Sequence, residues 1–284
     1  MSLSFDSQQA RICVGPAGWS YDDWKGIVYP NTSLDRLAWI ADHFDLVEVN
    51  SSFYRTPPRR NAESWVHRTE RNPDFLFTTK LFRGFTHERE SMPQSEVDAF
   101  RSFLEPLRDA GKLGAVLLQF PWSFRATKRA RDRLSELAEL FSGYPLVAEV
   151  RHGSFMIDRF FDFLQEKEIG FVNIDQPQIG ESIPPTEIVT SSVGYVRLHG
   201  RNREKWIEHD EPWERYDYLY SREELSPWVD RINVLAGKTR NVFVVTNNHF
   251  RGQAIVNATE IKQELGQRVV IPSSLRERYP GRWE

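Results

Sequence analysis

The chain has a single cysteine, Cys13, among its 284 residues. One cysteine excludes an internal disulfide and a zinc site built from several thiolates. The sequence also lacks any run of about 20 apolar residues, the length that a membrane-spanning helix needs. The first residues, Met1–Ala10, are polar and lack the apolar segment of a secretory signal. These absences predict a cytoplasmic protein without a membrane partner.

A surplus of charge of one sign is missing as well. The chain has 37 lysines and arginines against 40 aspartates and glutamates, so its net charge is −3. It therefore has no overall positive field to attract nucleic acid. No HxH or HExxH metal spacing occurs, and no dinucleotide or Walker motif follows an apolar run. We predict no cofactor, with a divalent metal ion left open as an alternative.

The sequence does contain eight short apolar runs separated by amphipathic, helix-like segments. The runs are Ile12–Pro16, Leu46–Asn50, Phe75–Lys80, Ala115–Phe120, Pro145–Val150, Gly170–Ile174, Gly194–His199 and Val242–Asn247. The length is close to the ~250 residues typical of one (β/α)8 barrel. The segment 181–193 is short and rich in proline, which disfavours a helix there. We predict a TIM-barrel-like single domain over residues 12–284, irregular around strands six and seven, after a flexible N-terminus over residues 1–11.

Nearly every apolar run ends in a charged or amide residue. Because side chains alternate along a strand, residues of one parity point into the barrel. On this basis the inward set at the strand ends is Glu48, Asn50, Lys80, Gln119, Glu149, Arg151, Asp175, Arg197, His199 and Asn248. In this fold the C-terminal face carries the active site. The pattern predicts one polar pocket there, and an ion-pair network with a purely structural role is the alternative interpretation.

We assign expected roles by chemistry. Glu48 and Glu149 are candidate acid and base groups, Asp175 assists them, and Lys80 would stabilise developing negative charge. The predicted substrate-binding residues are Trp19, Asn50, Tyr54, Gln119, Arg151, His152, Arg197, His199, Arg201, Asn247, Asn248, His249 and Gly252. The turn before the last helix, around Gly252, offers backbone N–H groups of the kind that bind phosphate. The expectation is an enzyme, a hydrolase or lyase, acting on a small anionic or phosphorylated substrate.

Several alternatives stay open at this point. Glu48, Glu149 and Asp175 could hold a divalent metal, although the neighbouring cations would repel it. Lys80 could form a Schiff base, but an ion pair with a carboxylate is the expected arrangement. Loop arginines and tryptophans would also suit a nucleic-acid processing enzyme of the DNA-repair kind. A non-catalytic metabolite-binding protein would use the same charges for recognition alone.

Several motifs, taken together, resemble one family. They are GPAGWSYDDW at 15–24, VEVNSSFY at 47–54, LQFP at 118–121, EVRH at 149–152, YVRLHG at 195–200 and NNHFRGQA at 247–254. The chain resembles the YecE-like family, domain of unknown function 72, from about Ile12 to Leu265. The resemblance implies a TIM-barrel-like fold. It implies no established activity.

Overall fold

Eight parallel strands form a barrel, and each is rich in the Val, Leu, Ile and Phe that suit a strand buried on both faces. The computed structural model of the protein describes residues 10–30, 33–88, 92–211 and 213–283. The strands are β1 Arg11–Pro16, β2 Leu46–Val49, β3 Leu76–Lys80, β4 Leu113–Gln119, β5 Leu146–Glu149, β6 Gly170–Asp175, β7 Val193–Leu198 and β8 Asn241–Thr246. The predicted (β/α)8 fold is confirmed. The predicted flexible N-terminus falls mainly on residues 1–9, which lie outside the described residues.

The helices surround the barrel and bury one face against the strands. They are α1 Arg36–His43, α2 Ser51–Tyr54, α3 Arg59–Arg68, α4 Gln94–Asp109, α5 Lys128–Leu140, α6 Asp158–Glu166, α7 Glu204–Ile207, α8 Arg222–Ala236, α9 Gln253–Glu264 and α10 Ser273–Arg278. Among the helices of the described ranges, none is both long and apolar enough to cross a membrane. As predicted, residues 176–192 join β6 to β7 without a helix.

The hydrogen-bonded order of the strands is β1-β8-β7-β6-β5-β4-β3-β2. The barrel closes between β1 and β2, where the amide of Gly18 donates to the carbonyl of Glu48 at 2.8 Å and the amide of Asp45 donates to Val14 at 3.1 Å. A Cβ atom on Gly15 would lie only 1.9 Å from the carbonyl oxygen of Leu46. The closure therefore needs glycine at this position, because any side chain would separate the two strands.

The loops at the carboxyl ends of the strands are long and carry short helical turns. One π-helical turn, Gly84–Glu88, follows β3. The connection from β7 to α8 holds α7 and a second turn, Glu214–Tyr216. These segments lie over the same end of the barrel, so they bring loop side chains to the strand ends.

Candidate functional site

The carboxyl ends of the strands surround one opening of the barrel, which we call the mouth. A buried guanidinium, that of Arg197, lies at its centre. Arg197 of β7 donates through Nη2 to Oε1 of Glu48 at 2.6 Å and through Nε to Oε2 of Glu48 at 3.1 Å. Its Nη1 donates to Oε2 of Glu149. All three side chains are fully buried. The two carboxylates, which come from opposite sides of the barrel, are thus held by one cation, as burial of their charge requires.

The second oxygen of Glu149 binds two further groups. Nε and Nη2 of Arg151 lie 2.9 and 2.8 Å from Oε1, and Nε2 of His199 lies 3.3 Å from the same oxygen. Burial opposes ionisation of Glu149, but Arg197, His199 and Arg151 outweigh burial and hold its pKa well below the usual range. Glu149 therefore stays ionised near neutral pH. It is suited to position cations and unsuited to donate a proton.

His199 is neutral in this setting. Burial, the largest cause, lowers its pKa to about 3, against the opposing attraction of Glu149. The amide Nδ2 of Asn247 lies 2.9 Å from Nδ1 of the ring. If the amide donates to Nδ1, Nε2 carries the hydrogen that is donated to Glu149. Asn247 thus fixes the orientation of the His199 ring, whose Nε2 faces the carboxylate of Glu149.

Glu48 is satisfied on its remaining side by a hydroxyl group from β7. The hydroxyl of Tyr195 lies 2.8 Å from Oε2 of Glu48 and 2.9 Å from Oγ1 of Thr78. Gln119, the end of β4, points its Oε1 to within 3.4 Å of Nη1 of Arg197. These contacts leave both carboxylates engaged by protein donors. The polar network is therefore complete at the floor of the mouth.

Lys80, at the end of β3, is the exception to this pairing. Its Nζ lies 4.6 Å from the centre of the Phe53 ring. Within the described part of the chain, no carboxylate oxygen comes within 4 Å of it. Burial, the largest cause, and the positive charges of Arg197 and Arg151 lower the pKa of Lys80 to about 7, against the opposing effect of Glu48 and Glu149. A fraction of Lys80 is thus an uncharged amine at neutral pH.

Aromatic residues on the loops form the wall around these charges. The guanidinium of Arg151 lies 5.7 Å from the ring centre of Trp206, whose ring is 6.2 Å from that of His199. The Phe53 ring also contacts the ring of His87 at 5.0 Å. Burial, then Lys80 and Arg151, lower the pKa of His87 to about 4, so this ring is neutral as well.

Sequence analysis assigned no role to Phe53 or to His87. Strand parity cannot reach loop residues, because their position depends on the path of the loop. The one available signal was the aromatic pair Phe53-Tyr54 directly after a polar strand end. Of that pair we predicted Tyr54, which is 68% exposed and contacts Phe53 from outside.

Two polar atoms beyond the ends of β2 and β8 lack hydrogen-bond partners within the described residues. The ring of His249 stacks on Tyr21 with a centroid distance of 4.3 Å, and burial lowers the pKa of His249 to about 4. Nδ2 of Asn50 lies 3.5 Å from the Tyr21 hydroxyl. Among the residues that the structure describes, Nδ1 of His249 and Oδ1 of Asn50 are buried without a hydrogen-bond partner. Such atoms are costly unless something else binds them.

Asp175 does not join the cluster. Its Oδ1 and Oδ2 lie 2.9 and 2.7 Å from Nε and Nη2 of Arg201, and it also accepts from Tyr220 at 2.9 Å and from Nε1 of Trp228 at 2.6 Å. Trp228 belongs to α8, so Asp175 points outward to the helix layer. The prediction that it faces the mouth is wrong, because the inward parity of β6 is shifted by one residue.

The last strand shows the same shift. Asn247 points inward to His199, whereas Nδ2 of Asn248 donates outward to the carbonyl of Tyr218 and to Oδ1 of Asn257, both at 2.8 Å. Thr246, on the same face as Asn248, donates to the carbonyl of Ala254 in α9 at 2.9 Å. Asn248 therefore ties β8 to the outer layer and does not face the mouth.

Two further predicted ligands lie beside the barrel. Nδ1 of His152 accepts from the amide of Ser154 at 3.1 Å, and its Nε2 lies 2.7 Å from Glu181. His152 therefore holds the turn after β5 and points away from Arg151. The ring of Trp19 packs edge-on against Trp65 of α3 at 5.4 Å.

The predicted phosphate turn is covered. A Cβ atom on Gly252 would lie 2.7 Å from Cγ2 of Val28, and the backbone there has a positive φ of 81°. The amide of Arg251 already donates to a carboxylate oxygen of Asp23. Because Val28 and Asp23 occupy the space before α9, this helix terminus does not face the polar mouth.

The three carboxylates proposed for a metal also do not converge. Glu48 and Glu149 each bind Arg197, and Asp175 binds Arg201 on the other side of the strand wall. Across residues 10–30, 33–88, 92–211 and 213–283, no group of three or more His, Cys, Asp or Glu is arranged to hold a metal ion. The donor set of the mouth instead has a cationic surplus, since Lys80, Arg151 and Arg197 face only two carboxylates.

Known proteins are similar to this chain in sequence and in fold. The model of the family described as "Protein of unknown function DUF72" matches residues 13–279. UPF0759 protein YunF of Bacillus subtilis (strain 168) is 33% identical over 270 residues, which cover 89% of this chain and 94% of that protein. Among solved structures, a DUF72 family protein of Thermotoga maritima MSB8 is 34% identical, with a TM-score of 0.83 over 90% of this chain and 100% of that one. A DUF72 family protein of Enterococcus faecalis V583 is 26% identical, with a TM-score of 0.81 over 92% and 98%. The resemblance inferred from the motifs is confirmed, and the chain belongs to the DUF72 family.

Proposed function

We propose that this protein is an enzyme that acts on a small phosphorylated, hydroxylated substrate at the carboxyl end of the barrel. The observation that carries the proposal is the arrangement of charge at the mouth. Arg197 is fully buried and neutralised by Glu48 and Glu149, whereas Arg151 is 13% exposed and Lys80 is partly exposed. The cations that a ligand can reach therefore exceed the carboxylates it can reach, which favours an anion.

Arg151 is suited to hold the anionic group. Glu149 binds it through Nε and Nη2, which fixes the plane of the guanidinium. A fixed planar donor binds phosphate or carboxylate with little loss of side-chain entropy. The neighbouring ring of Trp206 covers the guanidinium and lowers its access to water. These contacts support Arg151 as the main anion-binding residue.

Unpartnered polar atoms of Asn50 and His249 support a ligand that also bears hydroxyl groups. Oδ1 of Asn50 is an acceptor, and Nδ1 of His249 accepts or donates according to the tautomer. Both atoms are buried and lack a partner among the described side chains and backbone. A polyol such as an open-chain or cyclic sugar phosphate would satisfy both atoms while its phosphate binds Arg151. The combination favours a sugar phosphate over a simple dicarboxylate.

Reaction chemistry follows from the protonation states. The lowered pKa of Glu149 keeps this carboxylate ionised, so it does not serve as the protonated acid that a glycosidase requires, and His87, His199 and His249 are neutral. Lys80 supplies an amine that is partly uncharged near pH 7. This balance favours a lyase over a hydrolase.

The test is calorimetric titration with D-ribose 5-phosphate and with inorganic phosphate. We expect both to bind the wild type, and Arg151→Gln to weaken binding about 10–100-fold through loss of a charge-assisted pair. The matched control is Arg11→Gln, which removes the same charge at the start of β1, on the opposite face of the barrel. An equal effect of both substitutions, or no binding to the wild type at millimolar concentration, would contradict the proposal.

A further inference from the structure

We propose that Lys80 is a catalytic amine that forms an imine with the carbonyl carbon of a small phosphorylated aldehyde or ketone. The inference rests on the proposed function, since it takes Arg151 as the group that holds the phosphate. It adds the reacting functional group of the substrate and the bond that the enzyme makes to it.

The first support is the contrast between two lysines with little exposure. Lys112, at the opposite face of the barrel, is 5% exposed and its Nζ donates to the carbonyls of Asn72 at 2.7 Å, Thr69 at 3.2 Å and Phe75 at 3.3 Å. A buried ammonium is normally satisfied in this way. Among the described residues, Nζ of Lys80 has no hydrogen bond or ion pair, and the centre of the Phe53 ring lies 4.6 Å from it. Its donors and its lone pair are therefore available to a ligand.

The second support is the set of groups that surround Lys80. Arg151 and Arg197 repel its ammonium form, Glu48 and Glu149 attract it, and the neutral ring of His87 packs edge-on against Phe53. Both carboxylates are already bound to arginine, which weakens their hold on the lysine. The result is a pKa of about 7, in the range of lysines that act as nucleophiles.

The third support is the position of Lys80 relative to the anion-binding residue. Lys80 ends β3 and Arg151 lies two residues beyond the end of β5, and β4 lies between these two strands. Neighbouring strands lie about 4.8 Å apart, so the two strands are separated by roughly 10 Å. That span fits a chain of a few carbon atoms with a phosphate at one end and a carbonyl at the other.

The proposed step balances without an oxidant or a reductant. The lone pair of neutral Nζ attacks the carbonyl carbon, and the π electrons of the C=O bond move to oxygen, which takes up a proton. Nitrogen loses a proton to water, the hydroxyl group leaves with another proton as water, and the nitrogen lone pair closes the C=N bond. The products are one protonated imine and one water molecule, with one net proton taken from solvent. The protonated imine then withdraws electrons from an adjacent C–C or C–H bond, the usual purpose of such a step.

The experiment uses D-glyceraldehyde 3-phosphate and D-glyceraldehyde, a pair that differs only in the phosphate. Each is incubated with the full chain at pH 7 and sodium cyanoborohydride, which delivers hydride to the imine carbon and makes the bond permanent. Peptide mapping by mass spectrometry then gives the labelling rate of each lysine. We expect Lys80 to be labelled by the phosphorylated aldehyde at least about tenfold faster than the exposed lysines, which are almost fully protonated at this pH.

Two variants keep the test decisive. Lys80→Arg is fully charged at pH 7 and cannot form an imine, so it should bind inorganic phosphate at least as tightly as the wild type and lose the fast labelling. Arg151→Gln keeps the amine, so Lys80 should lose its preference for the phosphorylated aldehyde. Circular dichroism of both variants establishes that they are folded.

The outcomes separate the two proposals. Labelling of Lys80 no faster than that of exposed lysines, with phosphate binding intact, would overturn the imine and leave the anion site standing. Fast labelling of Lys80 by both aldehydes at equal rates would support the amine chemistry and overturn phosphate recognition. Fast labelling that depends on the phosphate and on Arg151 would support both.

Discussion

At the scale of single residues, the mouth of this barrel is governed by how each buried charge is paired. Arg197 neutralises two carboxylates at once, and Glu149 in turn orients Arg151 and His199. Removing one member would leave a buried charge without its partner, which costs far more than the pair itself contributes. Lys80 is the charge that this network leaves unpaired, and its cost to the folded state can be measured.

We expect Lys80→Met to raise the free energy of unfolding by about 1–3 kcal/mol near pH 7, because it removes a partly buried ammonium. The folded protein releases the Lys80 proton at about pH 7, whereas the unfolded chain holds it to about pH 10.5. Between these values the unfolded state binds more protons, so wild-type stability rises with pH and the advantage of the variant shrinks. Below pH 7 the advantage is largest and constant.

Urea unfolding of the wild type and Lys80→Met at pH 6 and pH 9 measures this effect. The matched control is Lys238→Met, which replaces an exposed lysine in the turn before β8. A difference between Lys80→Met and the wild type that stays the same at both pH values would contradict the lowered pKa. A loss of stability in the variant at pH 6 would show that Lys80 is paired in the folded protein.

At the scale of elements, the connection from β7 to α8 is anchored by Asp175. This carboxylate joins β6 to Arg201 and Tyr220 of the connection and to Trp228 of α8. The amide of Gly200, at a φ of 91°, donates to the Tyr220 hydroxyl at 2.8 Å, which extends the same anchor. The connection also carries Trp206, so the anchor indirectly holds one wall of the mouth.

We expect Asp175→Asn to lower the free energy of unfolding by about 2–4 kcal/mol, since the buried donors of Tyr220 and Trp228 and the half-buried Arg201 lose a charged acceptor. Its affinity for phosphate should stay within about twofold of the wild type, because additivity holds for residues that share no partners. Urea unfolding and calorimetric titration give the two values. Asp132→Asn, in an exposed pair with Lys128, is the control and should cost little. A variant that is as stable as the wild type but no longer binds phosphate would show that Asp175 takes part in ligand binding.

At the scale of the whole molecule, the barrel depends on a close contact between its first two strands. The backbones of β1 and β2 approach so closely that Gly15 faces the carbonyl of Leu46 without room for a methyl group. Glu48 lies on β2, two residues after Leu46, and its backbone carbonyl accepts a hydrogen bond from the amide of Gly18 across the closure. The closure of the barrel and the position of a central carboxylate are therefore linked.

We expect Gly15→Ala to lower the free energy of unfolding by about 3 kcal/mol or more, because backbone must move to admit the methyl group. The control is Gly237→Ala at the end of α8, where φ is −66° and a Cβ would meet nothing closer than 3.5 Å. Thermal and urea unfolding compare the two. Equal stability of the variants would show that the strands at the closure can separate without cost.

The sequence by itself determined the barrel and much of its mouth. Apolar runs of strand length, each followed by an amphipathic helix, specify (β/α)8 because both faces of every strand must be buried. Alternation then gave the correct inward residues on β2, β3, β4, β5 and β7, including Glu48, Lys80 and Arg197. Counting by two succeeds on these strands, although the pairing of β3 with β4 is irregular between Phe77 and Thr78.

Only the tertiary structure decided the rest. The inward parity of β6 and β8 follows from their pairing with β7, because Ile174 and Val245 lie beside the inward Arg197, and Asp175 and Asn248 therefore point to the helix layer. Loop paths bring Phe53 and Trp206 to the mouth, and Val28 covers Gly252, which no local pattern encodes. Which charges form ion pairs also depends on the tertiary structure. The sequence supplied three cations and two carboxylates at the strand ends, and the fold decided that Lys80 is the one without a partner.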